Sequence, residues 1–298
     1  MNDLVSHRFF NGLHLVVLGA GYVGGAVAAH AIRAGAKVTV LTRNVGKATE
    51  LSDGGCEVVI GSLENSEWHD QIKEPDLVLN SVSAGGGGIK GYRMSYLEGA
   101  RSILCWQNGS SSNATIVYTG STSVYPQGEG AIVAEDDRVE GESERSQILI
   151  KTESLIEQWP GRSRVLRLAG IYGPGRHYLL DQLRAGVGEL PGAGDHHLNL
   201  IHRDDAVSAI FAAFRDRDSA PHRVFNVVDD GRARKREIVA WLADSIGVKL
   251  PVFDGNAIGQ RSANRPDRII SNQRIKNELD WLPCHKTYRD GYRQILGT

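Results

Sequence analysis

The stretch that most constrains this chain is residues 13–24, Leu-His-Leu-Val-Val-Leu-Gly-Ala-Gly-Tyr-Val-Gly. An apolar run, Leu15 to Leu18, stops at Gly19, Gly21 and Gly24, and a small-residue helical pattern, Ala26-Val27-Ala28-Ala29, follows. This is strand, tight glycine turn and helix, with G-x-G-x-x-G spacing. Gly19 permits the tight turn. Gly21 lets the backbone approach a pyrophosphate, and Gly24 lets the helix pack close to the strand. The phosphates then sit on free N–H groups at the positive end of the helix. Tyr22 and Val23 lie inside the same turn and join the glycines as candidate cofactor contacts. The string is short, and it gains force from a second strand about 20 residues further on.

That second strand is Lys37 to Leu41, followed by Thr42-Arg43-Asn44. An acid near this strand end would bond the ribose hydroxyls of NAD. Here no acid is present and Arg43 stands in the region, where its planar fork matches the oxygens of a 2′-phosphate. The residues therefore point to NADP ahead of NAD, the other reading being a solvent-facing arginine in a turn. Further strands are expected at Glu57–Ile60, Leu77–Asn80 and Thr115–Tyr118, with a long helix over Tyr92–Gln107. Strands alternating with helices imply an α/β fold, a doubly wound parallel sheet of Rossmann type. Such sheets bind ligands beyond the carboxyl ends of their strands, so Ser81, Val82 and Ser83 should rim the cofactor site. Gly85 to Gly88, which follow them, read either as a gating loop or as a plain flexible connector.

Composition excludes more than it assigns. At 298 residues the chain can bury a sizeable core. Its net charge of −1 gives no footprint for nucleic acid or for an anionic membrane. The three cysteines, Cys56, Cys105 and Cys284, are far apart and lack C-x-x-C spacing, so no disulfide frame or metal site is expected. Met1 to Gly12 is too polar for a signal peptide, and a cytoplasmic location is the expectation.

Several strings together resemble the extended short-chain dehydrogenase/reductase superfamily, the nucleoside-diphosphate-sugar epimerases and dehydratases. They are Gly19-Ala20-Gly21-Tyr22-Val23-Gly24, Gly120-Ser121-Thr122-Ser123-Val124-Tyr125, Leu166 to Gly175, and Asn199 to Ala206. The segment Arg268 to Pro283 resembles the family's late helix. The resemblance runs over nearly the whole chain and is more specific for fold than for reaction. It implies an NAD(P)-binding domain over residues 1–169 and a smaller, partly interleaved substrate lobe over 170–298. It also implies a small or sugar-nucleotide substrate and a homodimer.

The family's reaction centre is a Ser or Thr, a Tyr acting as general acid or base, and a Lys that lowers the Tyr pKa and holds the nicotinamide ribose. Ser121 matches the serine, and Gly120 lies beside it at the cofactor edge. The Tyr-x-x-x-Lys element should lie within Glu142–Gln158 and is missing. Placing Lys151 at the lysine, as a cofactor contact, puts Gln147 at the tyrosine. Aligning Glu153 with the family's glutamate puts Arg145 at the tyrosine and Leu149 at the lysine, and its spacing to Leu166-Arg167-Leu168 fits better. This chain resembles the atypical members of the superfamily. Neither Gln nor Arg exchanges a proton at neutral pH. Three readings stay open: another group moves the proton, arginine instead polarises or binds an anionic substrate, or the chain holds a dinucleotide without catalysis.

Other polar residues enter as candidates. His177 follows Gly173-Pro174-Gly175-Arg176, a loop that in the family lies beside nicotinamide and substrate, and histidine titrates near neutral pH. His202, Asp204 and Asp205 stand at a strand-to-helix junction, where an Asp caps free N–H groups. Tyr125 and Tyr172 carry phenols but read better as packing residues. Arg176, Arg261 and Arg265 are candidates to meet an anionic substrate, or else plain surface arginines. Beyond Arg167 a short helix is expected at Leu179–Ala185. Strands are expected at His197–Ile201 and Arg223–Val228, and helices at Asp204–Arg215 and Lys235–Ile246.

Overall fold

The computed structural model describes residues 9–109, 113–141, 143–255 and 266–298. Arg261 and Arg265 lie outside the described residues. The first strands form where short apolar runs end in glycine or a hydroxyl residue. They are β1 (His14–Leu18), β2 (Lys37–Thr42), β3 (Glu57–Ile60), β4 (Leu77–Asn80) and β5 (Thr115–Ser121). Between them come α1 (Gly24–Arg33), α2 (Val45–Asp53) and a helical run over 88–108, termed α3. A short β6 (Ala131–Val133) and α4 (Glu144–Ile156) precede β7 (Ser163–Leu168). One seven-stranded sheet has the order β11-β7-β5-β4-β1-β2-β3, where β11 is His222–Val227. All six pairings are parallel.

Both faces of this sheet are covered at its centre, so β1 and β4 are near-continuous apolar runs rather than alternating with polar residues. Leu15 and Val17 face one core, packed by Val27, Ala28 and Ala31 of α1 and by Ala206 to Phe214 of α6 (Arg203–Arg215). Val16 and Leu18 face the other, with Ala100, Ile103 and Trp106 of α3 and with Trp68 and Trp159. The last sheet strand comes from residues 222–227, so the chain returns to the sheet after residue 169.

A third apolar cluster belongs to the C-terminal part. Leu179, Leu180 and Leu183 of α5 (Tyr178–Arg184) pack on Ile238, Val239 and Leu242 of α7 (Lys235–Ser245), and on Tyr288 and Tyr292. Three two-stranded pairs tie this part together. They are β8 (Gly170–Tyr172) with β10 (Leu200–His202), β9 (Glu189–Leu190) with β12 (Val252–Phe253), and β6 with β13 (Arg268–Ile270). Two helices, α8 (Gln273–Leu279) and α9 (Tyr288–Leu296), complete the described chain.

Three expectations need correction. The helix expected over Tyr92–Gln107 starts earlier and is not uniform, with α-helical Gly88–Arg93, a π turn at Met94–Glu98, then α-helical Gly99–Asn108. Its fourth preceding glycine, Gly88, is already helical, and Gly85 to Gly88 all have φ between +57° and +123°. Residues with side chains rarely adopt such angles, so the glycines have a conformational reason to be there. The strand expected at His197–Ile201 is Leu200–His202, because it pairs with Gly170–Tyr172 and not with the central sheet. The segment Arg268–Pro283 opens as a strand paired with Ala131–Val133, and only Gln273–Leu279 is helical.

Candidate functional site

The glycine turn is built as its spacing requires. Gly19 has φ +92°, and a Cβ there would come within 2.9 Å of the Val82 backbone. A Cβ on Gly24 would lie 2.2 Å from the Gly19 carbonyl oxygen, so only glycine lets α1 start this close to the turn. Gly21 is exposed, and a Cβ on it would meet nothing within 4 Å. The N-terminus of α1 at Val23 has no side-chain cap and no acid in its first turn. An uncapped positive helix end beside an open glycine fits the pyrophosphate of a dinucleotide.

A cleft of about 320 Å³ opens on this turn. Gly19 and Gly21 form one wall, Thr42, Arg43 and Asn44 a second, and Ser81, Val82 and Ser83 a third. Each wall is the carboxyl end of a sheet strand. Asn44 also caps α2 by accepting from the Lys47 N–H at 3.1 Å. Beneath the third wall the Nδ2 of fully buried Asn80 has no hydrogen-bond partner. Lys47, Glu64 and Ser95 line the cleft as well. No spacing rule pointed to these three. Lys47 arrives because α2 begins at the end of β2, and Ser95 because it lies in the π turn of α3.

Tyr22 serves a different neighbour. Its hydroxyl donates to the Pro174 carbonyl at 2.9 Å, and the Arg176 and Arg203 guanidinium groups lie 5.5 and 5.2 Å from its ring centroid. It ties the glycine turn to the loop at 173–176.

Gly120 and Ser121 end β5. Ser121 Oγ lies 2.9 Å from Ser123 Oγ and accepts from the Ser123 N–H, which caps a single 3-10 turn at Thr122–Val124. A Cβ on Gly120 would lie 3.2 Å from Glu153 Oε1. Glu153 is buried on α4 and takes the Arg167 guanidinium on both oxygens. Burial pushes its carboxyl above the usual range, and Arg167 pulls against that shift.

On α4, Arg145 sits in the first turn with its guanidinium 5.6 Å from the Tyr92 ring. Leu149, one turn on, is buried in the core. Lys151 is exposed and is not among the cleft-lining residues. His177 precedes α5, with Nδ1 2.7 Å from Asp181 Oδ1. Its neighbours Arg176 and Tyr178 line a second pocket, of about 530 Å³, whose wall also holds Gln182, Lys235 and Tyr292.

The remaining candidates are framework groups. The Tyr125 hydroxyl receives a hydrogen bond from Arg167 at 2.7 Å and donates to Asn226 at 2.8 Å, fully inside the protein. Tyr172 is buried and stacked on Tyr292. His202 caps α6 by accepting from the Asp204 N–H. His202, Asp205 and His285 offer ligand atoms within 4.8 Å of one another. Asp205, however, already accepts from Cys284 N, His285 N and His285 Nδ1, which fastens the C-terminal segment to α6. Among the described residues no helix is long and apolar enough to cross a membrane.

Comparison with known proteins agrees with this geometry. The model of the NAD dependent epimerase/dehydratase family matches residues 15–227. Protein YeeZ of Escherichia coli K12 is 28% identical over 165 residues, covering 55% of this chain and 56% of that protein. The 3-diazoavenalumate denitrifying reductase of a Streptomyces species is 30% identical over 139 residues, covering 43% of this chain and 45% of the reductase. The chain thus spans about half the length of the curated relatives it matches. The dTDP-glucose 4,6-dehydratase DesIV of Streptomyces venezuelae, solved with NAD bound, superposes with a TM-score of 0.81. It is 17% identical, with 95% of each chain covered, a likeness that shows the fold. A glycine turn at the head of a seven-stranded parallel sheet, and a family match over more than half the chain, place this protein in the NAD-dependent epimerase/dehydratase family.

Proposed function

We propose that the chain is an NAD(P)-dependent oxidoreductase or epimerase-like enzyme acting on a small or nucleotide-linked substrate, with NADP preferred. The observation that carries the reading is the open space over Gly21 at the uncapped start of α1. The NADP preference rests on two cations, Arg43 and Lys47, on the cleft wall where the ribose end of a dinucleotide would lie. The second pocket, with Arg176 and Lys235 in its wall, suits an anionic substrate such as a sugar nucleotide. Ser121 is the candidate to bond the reacting carbonyl or hydroxyl. The proposal includes a cytoplasmic location and a homodimer.

Quenching of intrinsic fluorescence by NADPH and NADH tests the cofactor. NADPH should quench at lower concentration, and Arg43→Asp should reverse the order. No quench by either dinucleotide would overturn the reading. A second reading, dinucleotide binding without catalysis, is favoured by Arg145 and Leu149 standing at the tyrosine and lysine positions. Binding without turnover over a panel of carbonyl compounds and sugar nucleotides would select it.

A further inference from the structure

The NAD(P)-dependent reading leaves the substrate either small or nucleotide-linked, and the wall of the second pocket separates the two. This pocket adjoins the edge of the sheet that carries Ser121. Its wall includes Gly170, just past Leu168, and Leu168 is the register partner of Ser121.

Much of the wall is aromatic. Tyr172, Tyr178 and Tyr292 all line it. Tyr172 and Tyr292 are buried and stacked, with ring centroids 4.9 Å apart and planes at 27°. That pair is fixed by the core of the C-terminal part. Tyr178, the first residue of α5, is 69% exposed. A ring left in water beside a pocket gains contact and loses hydration when a flat apolar ligand covers it. Leu179, Leu198 and Leu200 add aliphatic surface.

The charges in the wall are few and unequally available. Asp195 is taken by Arg236 at 2.6 Å. Lys235 Nζ donates to the Pro191 carbonyl at 3.2 Å and lies 5.4 Å from the Phe253 ring centroid. Arg176 is different. Its backbone is held by hydrogen bonds to and from Gly173, both at 3.0 Å. The residue is exposed, its guanidinium lies over the Tyr22 ring, and among the described residues no carboxylate pairs with it. Such a fork takes one carboxylate on two parallel N–H bonds. A diphosphate asks for more, namely clustered backbone N–H donors at a helix start or several cations. The start of α7, where Lys235 stands, is closed to it. The N–H groups of Lys235 and Arg236 donate to the His196 and Gly194 carbonyls at 3.0 and 2.9 Å, and that of Glu237 to the Arg234 carbonyl. The groups that a helix start ordinarily leaves free are here already paired.

We propose that the second pocket takes an aromatic carboxylic acid bearing the reacting carbonyl or hydroxyl, its carboxylate on Arg176 and its ring on Tyr178, in preference to a nucleoside-diphosphate sugar. The proposal rests on the NAD(P)-dependent reading above and selects the small substrate within it. Arg176 and Tyr178 stand on either side of His177 at the entrance to α5, so one short stretch of chain reads both charge and ring.

Ligand-observed NMR titrations of the full chain test this with four probes. 2-Naphthoate carries ring and carboxylate, 2-naphthalenemethanol the ring alone, cyclohexanecarboxylate the carboxylate alone, and UDP-glucose a diphosphate. 2-Naphthoate should bind about tenfold more tightly than each of the others. Arg176→Met should weaken 2-naphthoate about tenfold and leave 2-naphthalenemethanol unchanged. Arg176→Lys, which keeps the charge and loses the fork, should recover only part of that loss. Tyr178→Ala should weaken both ring compounds about fivefold and leave cyclohexanecarboxylate unchanged. Both positions are exposed, so these variants keep the fold, and retained NADPH quenching reports it. Failure of 2-naphthoate to bind, binding that neither Arg176→Met nor Tyr178→Ala alters, or tighter binding of UDP-glucose overturns the proposal while leaving cofactor binding standing. Absence of NADPH quenching in the wild type would instead overturn the reading beneath it.

Discussion

The glycines of the first turn differ in what they are for, and substitution separates the reasons. Gly24 is held by a backbone contact, since its Cβ would sit 2.2 Å from the Gly19 oxygen. Gly24→Ala should therefore destabilise the fold by about 1–3 kcal/mol in urea denaturation. Gly21 meets nothing. Gly21→Ala should change stability by no more than about 0.5 kcal/mol yet weaken NADPH about tenfold or more in the fluorescence titration. If Gly21→Ala binds NADPH normally, the pyrophosphate does not lie where the cleft suggests. A buried pair offers a test of another kind. Arg164 and Asp216 meet at 2.8 Å with both side chains essentially inaccessible. Asp216→Ala should cost about 3–5 kcal/mol, because it leaves a guanidinium buried without its counter-charge.

Helix α4 begins at a reciprocal cap. Ser143 Oγ accepts from the Ser146 N–H, and Ser146 Oγ accepts from the Ser143 N–H, each at 3.1 Å. This fixes the first turn, which carries Arg145. Ser143→Ala should lower stability by about 1 kcal/mol, read as a fall in the thermal midpoint. Element legibility followed the source of each element's stability. Strands β1 to β5 were readable because each is an apolar run closed by a glycine or hydroxyl residue. The three-residue strands β6, β8 and β13 carry no such run. Ala131–Val133 is a strand only because Arg268–Ile270, more than a hundred residues on, lies beside it. The π turn in α3 was equally silent, since its 92–107 sequence satisfies an ordinary helical pattern. Of the cleft, the walls at Gly19–Gly21, Thr42–Asn44 and Ser81–Ser83 could be named from strand ends. Glu64 and Ser95 could not, because they come from segments whose approach is set by packing, whereas Lys47 lies just past the strand end that was read, in the first turn of α2.

At the scale of the whole molecule, the C-terminal segment is held by a pair of histidines that titrate in opposite senses. His202 is buried, and burial with the neighbouring His285 lowers its imidazole to about 4. Asp205 raises His285. Between about pH 4 and 6.5 the unfolded chain takes up the His202 proton and the folded chain does not, so His202 makes stability fall as pH falls through that window. His285 contributes stability that is complete below its unfolded value and is lost as pH rises through its raised folded value. Urea midpoints from pH 4 to 8 should therefore show His202→Gln flattening the acidic limb and His285→Gln flattening the limb above about pH 6.5. An acidic limb unchanged in His202→Gln would contradict the burial of a neutral imidazole. The sequence by itself determined the βαβ start, the parallel sheet and the class of cofactor, because strand runs, glycine spacing and helical periodicity are local properties of the chain. Only the tertiary structure decided which groups surround position 145 and which residues close the cleft. Those contacts join α3 to α4 and set the ends of β2 and β4 on either side of β1 across long stretches of chain, and no local pattern of residues records them.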